Sequence, residues 1–164
     1  MRQACEAASR QADVVVVARC RAAEIFADAC SAELFAAYDA ECANPLLGPT
    51  TPQGAIYEAL EATGSVQAFA GYLNGVLCGF GFVILGPLPH YGRKFATVES
   101  VFVARVARHS GLGTRLMSEL EEFAREAGCE VIFYSAPVGS RLARLLFLSD
   151  DYCNTNHVFT KRLR

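Results

Sequence analysis

The dipeptide Asn74-Gly75 stands between two apolar runs, SVQAFAGYL (65–73) and VLCGFGFVIL (76–85). A two-residue hairpin turn of type I′ needs positive φ at both central positions, which Asn and Gly tolerate best, and its twist matches the strands it joins. The middle of the chain is therefore committed to an antiparallel pair. A turn-rich loop, GPLPHYGRK (86–94), then leads into FATVESVFV (95–103), a third strand of the same meander.

The flanks alternate between helix and strand. DVVVVA (13–18) is short and β-branched, so it predicts a strand. Residues 22–42 are rich in Ala, Glu, Leu and Phe and predict one bent helix or two, with a break near 28–31. The loop 43–54 holds three prolines and two glycines, and Thr51-Pro52 within it reads as an N-cap followed by a first-turn proline. That helix runs to about Thr63, before Gly64. Leu112, Leu116, Leu120, Phe123 and Ala127 recur at helical spacing and define an amphipathic helix closing at Gly128. A strand (130–136), a short helix (139–149) and a last strand with alternating character (157–163) complete the order. Residues 1–12 read as an N-terminal extension to one domain, 13–164.

A chain of 164 residues, 52% apolar and 20% charged, buries one substantial core. The net charge of −2 gives no global attraction for nucleic acid or an anionic membrane, so neither is expected as a partner. The longest apolar stretch, GVLCGFGFVILG, falls short of the roughly 20 residues that span a bilayer, and the N-terminus lacks an apolar signal region. A cytoplasmic protein is expected. The seven cysteines form no CxxC pair and lie on apolar stretches, which reads as core packing rather than a zinc site or a disulfide framework. No metal is expected.

Against this background the stretch RHSGLG (108–113) stands out, because it joins the third meander strand to the amphipathic helix. A helix start offers free N–H donors and the positive end of the macrodipole, and glycine lets an anion approach the backbone closely. A diphosphate site is the physical expectation; the alternative is that Gly111 and Gly113 only shape a turn. GxxxxGK[ST] is absent, and neither the third glycine nor the acidic residue of a dinucleotide site follows.

The segment VESVFVARVARHSGLGTRLMSELEEFAREAG closely resembles the core motif of the GCN5-related N-acetyltransferase (GNAT) family, [RQ]-x-x-G-x-[GA]. Arg108, Gly111 and Gly113 occupy its defining positions, and the predicted order of elements is also the family's. The resemblance implies an α/β (α+β) single-domain fold: a mixed, mostly antiparallel sheet of about six to seven strands, flanked by helices, with a splayed strand pair at the acyl-CoA site. It implies acetyl-CoA as co-substrate, its pyrophosphate held by amides of Arg108, His109, Ser110, Gly111, Leu112, Gly113 and Thr114. Backbone groups of Val101, Phe102 and Val103 would hold the pantetheine arm, and Ser140 and Phe147 fall at further co-substrate positions.

Transfer to an amine needs a base, because an alkylamine is mostly protonated at neutral pH. Glu99 matches a position where family members carry a glutamate that acts directly or through water. Strand alternation sets Thr97, Glu99, Val101 and Val103 on one face and Val98, Ser100 and Phe102 on the other. Phe147 stands where the family often has a tyrosine that returns a proton to the thiolate. The thiolate then leaves with help from water, or Tyr134, Ser149 or Tyr152 substitutes, or catalysis has been lost.

For the acceptor, the resemblance points to the first helices and the loop between the third and fourth strands, here Tyr38, Asp39, Glu41, His90 and Tyr91. The expected activity is acetyl transfer to a primary amine, of a small molecule first, by direct attack in a ternary complex. Acylation of a protein or aminoacyl-tRNA amine and a non-catalytic acyl-CoA-binding module are the alternatives, and a homodimer through late strands is a further expectation.

Overall fold

The computed structural model describes residues 13–42 and 44–163, so the extension 1–12 lies outside it. Five strands form one sheet in the order β1-β2-β3-β4-β5: β1 (Val15–Cys20), β2 (Val66–Leu73), β3 (Val76–Leu88), β4 (Arg93–Val103) and β5 (Val131–Tyr134). The first three pairings are antiparallel and the last is parallel, as a mixed, mostly antiparallel sheet requires. Asn74 and Gly75 adopt φ of 53° and 82°, the left-handed conformation their turn demands.

Helices α1 (Ala22–Ala27) and α2 (Ser31–Cys42) realise the expected break at Asp28, and α3 (Gly54–Ala62) follows the proline-rich loop. Its N-cap is Gln53 rather than Thr51. Helix α4 (Leu112–Glu126) connects β4 to β5, and α5 (Arg141–Leu148) follows β5. The sheet has five strands rather than six or seven: 157–163 carries no strand pairing, and Val158 and Phe159 are largely exposed.

The two faces of the sheet carry separate cores. On one, α1 to α3 cover Ala68, Ala70, Phe80, Phe82 and Phe102, with Phe35 stacked on Phe80 at 4.7 Å between ring centroids. On the other, α4 presses Leu112, Leu116 and Leu120, all fully buried, onto Phe69, Val83, Ala96 and Val98. The fit depends on missing side chains. A Cβ on Gly71 would fall 3.0 Å from Leu112 and 3.1 Å from Leu116, and one on Gly81 3.1 Å from Leu120. The glycines of the GYL and CGFG segments thus form a trough in which the leucine row lies.

Gly79 is the most constrained of the three, because its Cβ would lie 2.9 Å from the Phe102 carbonyl oxygen and 3.0 Å from Leu116. Neither backbone nor a fully buried leucine can withdraw cheaply. Gly79→Ala is expected to lose about 2 kcal/mol of stability by overpacking, measured by urea unfolding. Unchanged stability would mean that the trough is looser than its contacts indicate.

Candidate active site

β4 is eleven residues long, yet β5 pairs only with Phe95, Ala96, Thr97 and Val98. Pairing stops at Val98 and Tyr134, where β5 ends, leaving the last residues of β4 without a strand partner on that side. The early end of the pairing is consistent with the splayed pair that the family resemblance implies. Ala104 N–H bonds to the Cys78 carbonyl at 2.8 Å, which sets residues 100, 102 and 104 as those bonded to β3. By alternation the amide and carbonyl of Val101, and the amide of Val103, face the opening. Phe102 does not: its backbone belongs to the β3 ladder and its side chain is buried under α2. Of the three expected positions, only Val101 and Val103 therefore present main-chain groups to the gap.

The chain leaves β4 through a 3₁₀ turn, residues 105–107, and enters α4 at Gly111. Gly111 has φ of 87°, and no side chain caps the helix. The first intrahelical bond is Arg115 N–H to the Gly111 carbonyl, so the amides of Gly113 and Thr114 precede the ladder. Leu112 is different, since its N–H already meets Ser110 Oγ at 3.3 Å and its side chain fills the core. His109 is exposed on the turn.

Whether this turn fits a pyrophosphate can be tested against the glycines. A Cβ on Gly111 would meet nothing within 4 Å, and one on Gly113 would meet only Val103 Cγ2 at 3.8 Å. The fold's own packing gives Gly113 no reason to lack a side chain. The empty volume beside two unpartnered amides is what a close-approaching anion requires, so the residues fit.

Arg108 has another employment. Its Nε donates to the Val103 carbonyl at 2.9 Å and its Nη2 to Glu41 at 2.7 Å. Arg105 meets the other oxygen of Glu41 at 2.9 Å. Partial burial pushes the Glu41 carboxyl up, the bonds from the two arginines pull it down by more, and it ends below the usual carboxylate range. Glu41 is therefore committed to arginines rather than open to an amine.

Glu99 departs from simple alternation. Phe82 pairs with Ser100 and Val83 with Val98, so Glu99 is the extra residue of a β-bulge. The bulge returns Val98 to the α4 face beside Val101 and Val103, and turns Glu99 towards α3. There the carboxylate accepts from Ser100 Oγ at 2.7 Å and, at long range, from Tyr57 hydroxyl at 3.4 Å. Tyr57 was not singled out in the sequence, which offers no sign of how α3 docks. Tyr38 approaches the same region, its ring edge-on to Phe80 and Phe102. Asp39 instead holds the following loop, accepting from Thr50 amide and hydroxyl at 2.9 and 2.6 Å.

The remaining expected residues lie apart. His90 and Tyr91 occupy the β3–β4 turn, and the seven extended residues from Arg93 to Glu99 separate them from the opening by roughly 20 Å. Ser140 caps α5, accepting from Ala143 N–H at 3.1 Å. Phe147 is 69% exposed. Tyr134 and Tyr152 both donate to Glu121 Oε1, at 2.9 and 2.5 Å, and burial, reinforced by that carboxylate, pushes both phenols well above their ordinary range. Such protons are held, not offered. The Cys20 thiol is not prepared as a nucleophile either, since burial and then Glu24 push it up to about 12.

Two surface concavities of about 530 and 650 Å³ lie at the β3–β4 turn and between the C-terminal ends of α3 and α4. Neither includes the β4–β5 opening, which is a cleft between strands rather than an enclosed cavity.

Comparison with known proteins follows the same outline. The family model for the acetyltransferase (GNAT) family matches residues 32–145. No curated protein matches the chain in sequence. Among solved structures, a ribosomal-protein-alanine N-acetyltransferase from Brucella melitensis biovar Abortus 2308 is similar at 22% identity and TM-score 0.60, over 93% of this chain and 99% of that one. An aminoglycoside acetyltransferase, meta-AAC0020, from an uncultured soil metagenomic sample reaches TM-score 0.69 at 16% identity, over 92% and 97%. AAC(6')-Iy in complex with a CoA bisubstrate analogue reaches 0.66 at 14%, over 92% and 99%. At these identities the likeness is one of fold.

Tyr38 supplies a test of the site's electrostatics. Burial, and then Cys42, Glu99 and Asp39, push its phenol up to about 12 from an ordinary value near 10. Between those pH values the folded state keeps a proton that the unfolded state has lost, so stability is expected to fall as pH rises from 10 to 12. Tyr38→Phe should flatten that fall in urea unfolding across the window. An identical slope would remove Tyr38 from this environment.

Proposed function

Because the chain belongs to the GNAT acetyltransferase family, we propose that it transfers an acetyl group from acetyl-CoA to a primary amine of a small molecule, by direct attack in a ternary complex. The observation that carries this reading is the alignment of two features. Pairing of β4 with β5 stops at Val98 and Tyr134, and the free part of β4 leads through the turn at 105–110 to the start of α4, where the Gly113 and Thr114 amides precede the helical ladder. An extended arm with a phosphate at its end matches that layout. The Gly113 and Thr114 amides would hold the pyrophosphate, and Val101 and Val103 the arm. Acetyl-CoA supplies the thioester.

On this reading an ammonium group enters beside Glu99, between Tyr57 and Tyr38, where a carboxylate and aromatic faces both favour a cation. Glu99 takes one proton, directly or through water, and passes it to solvent. The freed nitrogen attacks the thioester carbon. A C–N bond forms, the C–S bond breaks, and the second nitrogen proton reaches the departing thiolate through water. An N–H of the open β4 edge aimed at the developing oxyanion is worth about 3 kcal/mol. Water serves as the proton carrier because Phe147 has no proton to give and the phenols of Tyr134 and Tyr152 are bound to Glu121.

The aminoglycoside acetyltransferases among the fold relatives support a small amine as acceptor. The six described cysteines, all free thiols, support a cytoplasmic setting. The second reading, a non-catalytic acyl-CoA-binding module, is favoured by the same Phe147.

Calorimetric titration with acetyl-CoA, with ATP and NAD as controls, tests the co-substrate. Saturation by acetyl-CoA alone is expected, and Gly113→Glu should bind at least tenfold more weakly, because its carboxylate would oppose the pyrophosphate, while folding as stably as wild type, since helix propensity favours glutamate over glycine by roughly 0.5 kcal/mol. Equal affinity would sink the cradle assignment. An amine screen by thiol release then separates enzyme from binding module. Glu99→Gln should lower kcat about 100-fold at neutral pH with acetyl-CoA affinity unchanged, and the deficit should shrink as the amine deprotonates at higher pH. A variant as fast as wild type would remove Glu99 as base.

A further inference from the structure

We propose that Glu41 is a positioning residue for the anion-binding turn: acting through Arg108, it fixes where β4 ends and therefore where the Gly113 and Thr114 amides stand. The inference rests on the acetyl-CoA reading for its ligand, though the link itself is visible without one.

Glu41 lies in the last turn of α2, where a carboxylate opposes the helix dipole. Helix α2 gains nothing from it there. What Glu41 does serve is Arg108, whose side chain is only 19% exposed and needs a counter-charge. The guanidinium is held on three sides. Nη2 meets Glu41 at 2.7 Å, Nε meets the Val103 carbonyl at 2.9 Å, and the group lies 5.5 Å from the centre of the Phe102 ring. A planar fork with two directed bonds and an aromatic ring beside it has little freedom left. It therefore pins the last β4 carbonyl, that of Val103, to α2, ten residues before Gly113 places its amide.

Arg105 shares the same carboxylate but is 80% exposed, so it adds charge without fixing position. One turn earlier on α2, Tyr38 packs against Phe102. The helix that brings an aromatic wall to the acceptor side thus also anchors the turn on the co-substrate side.

A double-mutant cycle with Glu41→Gln and Arg108→Ala tests this, read by acetyl-CoA calorimetry, by KM against kcat, and by amide hydrogen exchange on the ligand-free protein. Each single variant is expected to weaken binding about tenfold, the usual scale of one lost charge-assisted bond. KM for acetyl-CoA should rise while kcat stays within about twofold. The double variant should be no weaker than Arg108→Ala alone, because Glu41 acts through that residue. In both single variants exchange should accelerate across residues 108–114. Losses that multiply in the double variant, or wild-type binding and exchange in Glu41→Gln, would overturn the proposal. Wild-type protein that fails to titrate with acetyl-CoA removes the co-substrate reading instead, and the exchange comparison then decides the link by itself.

Discussion

Three leucines lying in a trough of glycines determine how this molecule is arranged. Leu112, Leu116 and Leu120 are fully buried, and each occupies space that a side chain on Gly71, Gly79 or Gly81 would claim. Burying them is worth about 2 kcal/mol apiece. The contact's directional effect matters more than its energy. Once the leucine row is seated, α4 can neither slide nor rotate on the sheet, and its first turn comes to rest beside the exit of β4. The open amides of Gly113 and Thr114 are placed by apolar packing that begins one residue away, at Leu112.

The opposite face shows how one residue can separate structural from chemical duty within a strand. Without the bulge at Glu99, alternation would send its carboxylate into the leucine layer, where an unpaired charge is costly. The extra residue restores Val98, Val101 and Val103 to that layer and turns Glu99 out beside Ser100 and Tyr57. Bulges occur where a strand must re-aim a side chain, and here it does so at the point where β5 departs.

Much of the fold was legible because its signals are local. Asn74-Gly75 dictates a turn by its own dihedral preferences, and the leucine period of α4 is a property of one segment. The glycines of RHSGLG could be recognised for the same reason. What failed to show were relations between distant segments. Glu41 and Arg108 lie 67 residues apart, and nothing local says that they meet. Tyr57 reaches Glu99 only because α3 docks on the sheet. Alternation misassigned the Glu99 face because a single inserted residue inverts everything beyond it. The alternation of 157–163 predicted a last strand that the structure does not form, because pairing also needs a neighbouring strand and the segment pairs with none.

The parting of β4 and β5 also bears on how the protein is kept folded. Main-chain groups of Val101 and Val103 face a space with no strand in it, so the sheet reaches its full complement of bonds only when something extended lies there. A ligand that does so is an accessory element of secondary structure, and its concentration enters the folding equilibrium directly. At 100 times its dissociation constant such a ligand adds about 2.7 kcal/mol, a large share of a small domain's net stability. On the proposed acetyl-CoA reading, the lifetime of the chain in a cell would follow the supply of that co-substrate, linking protein abundance to it without any dedicated sensor.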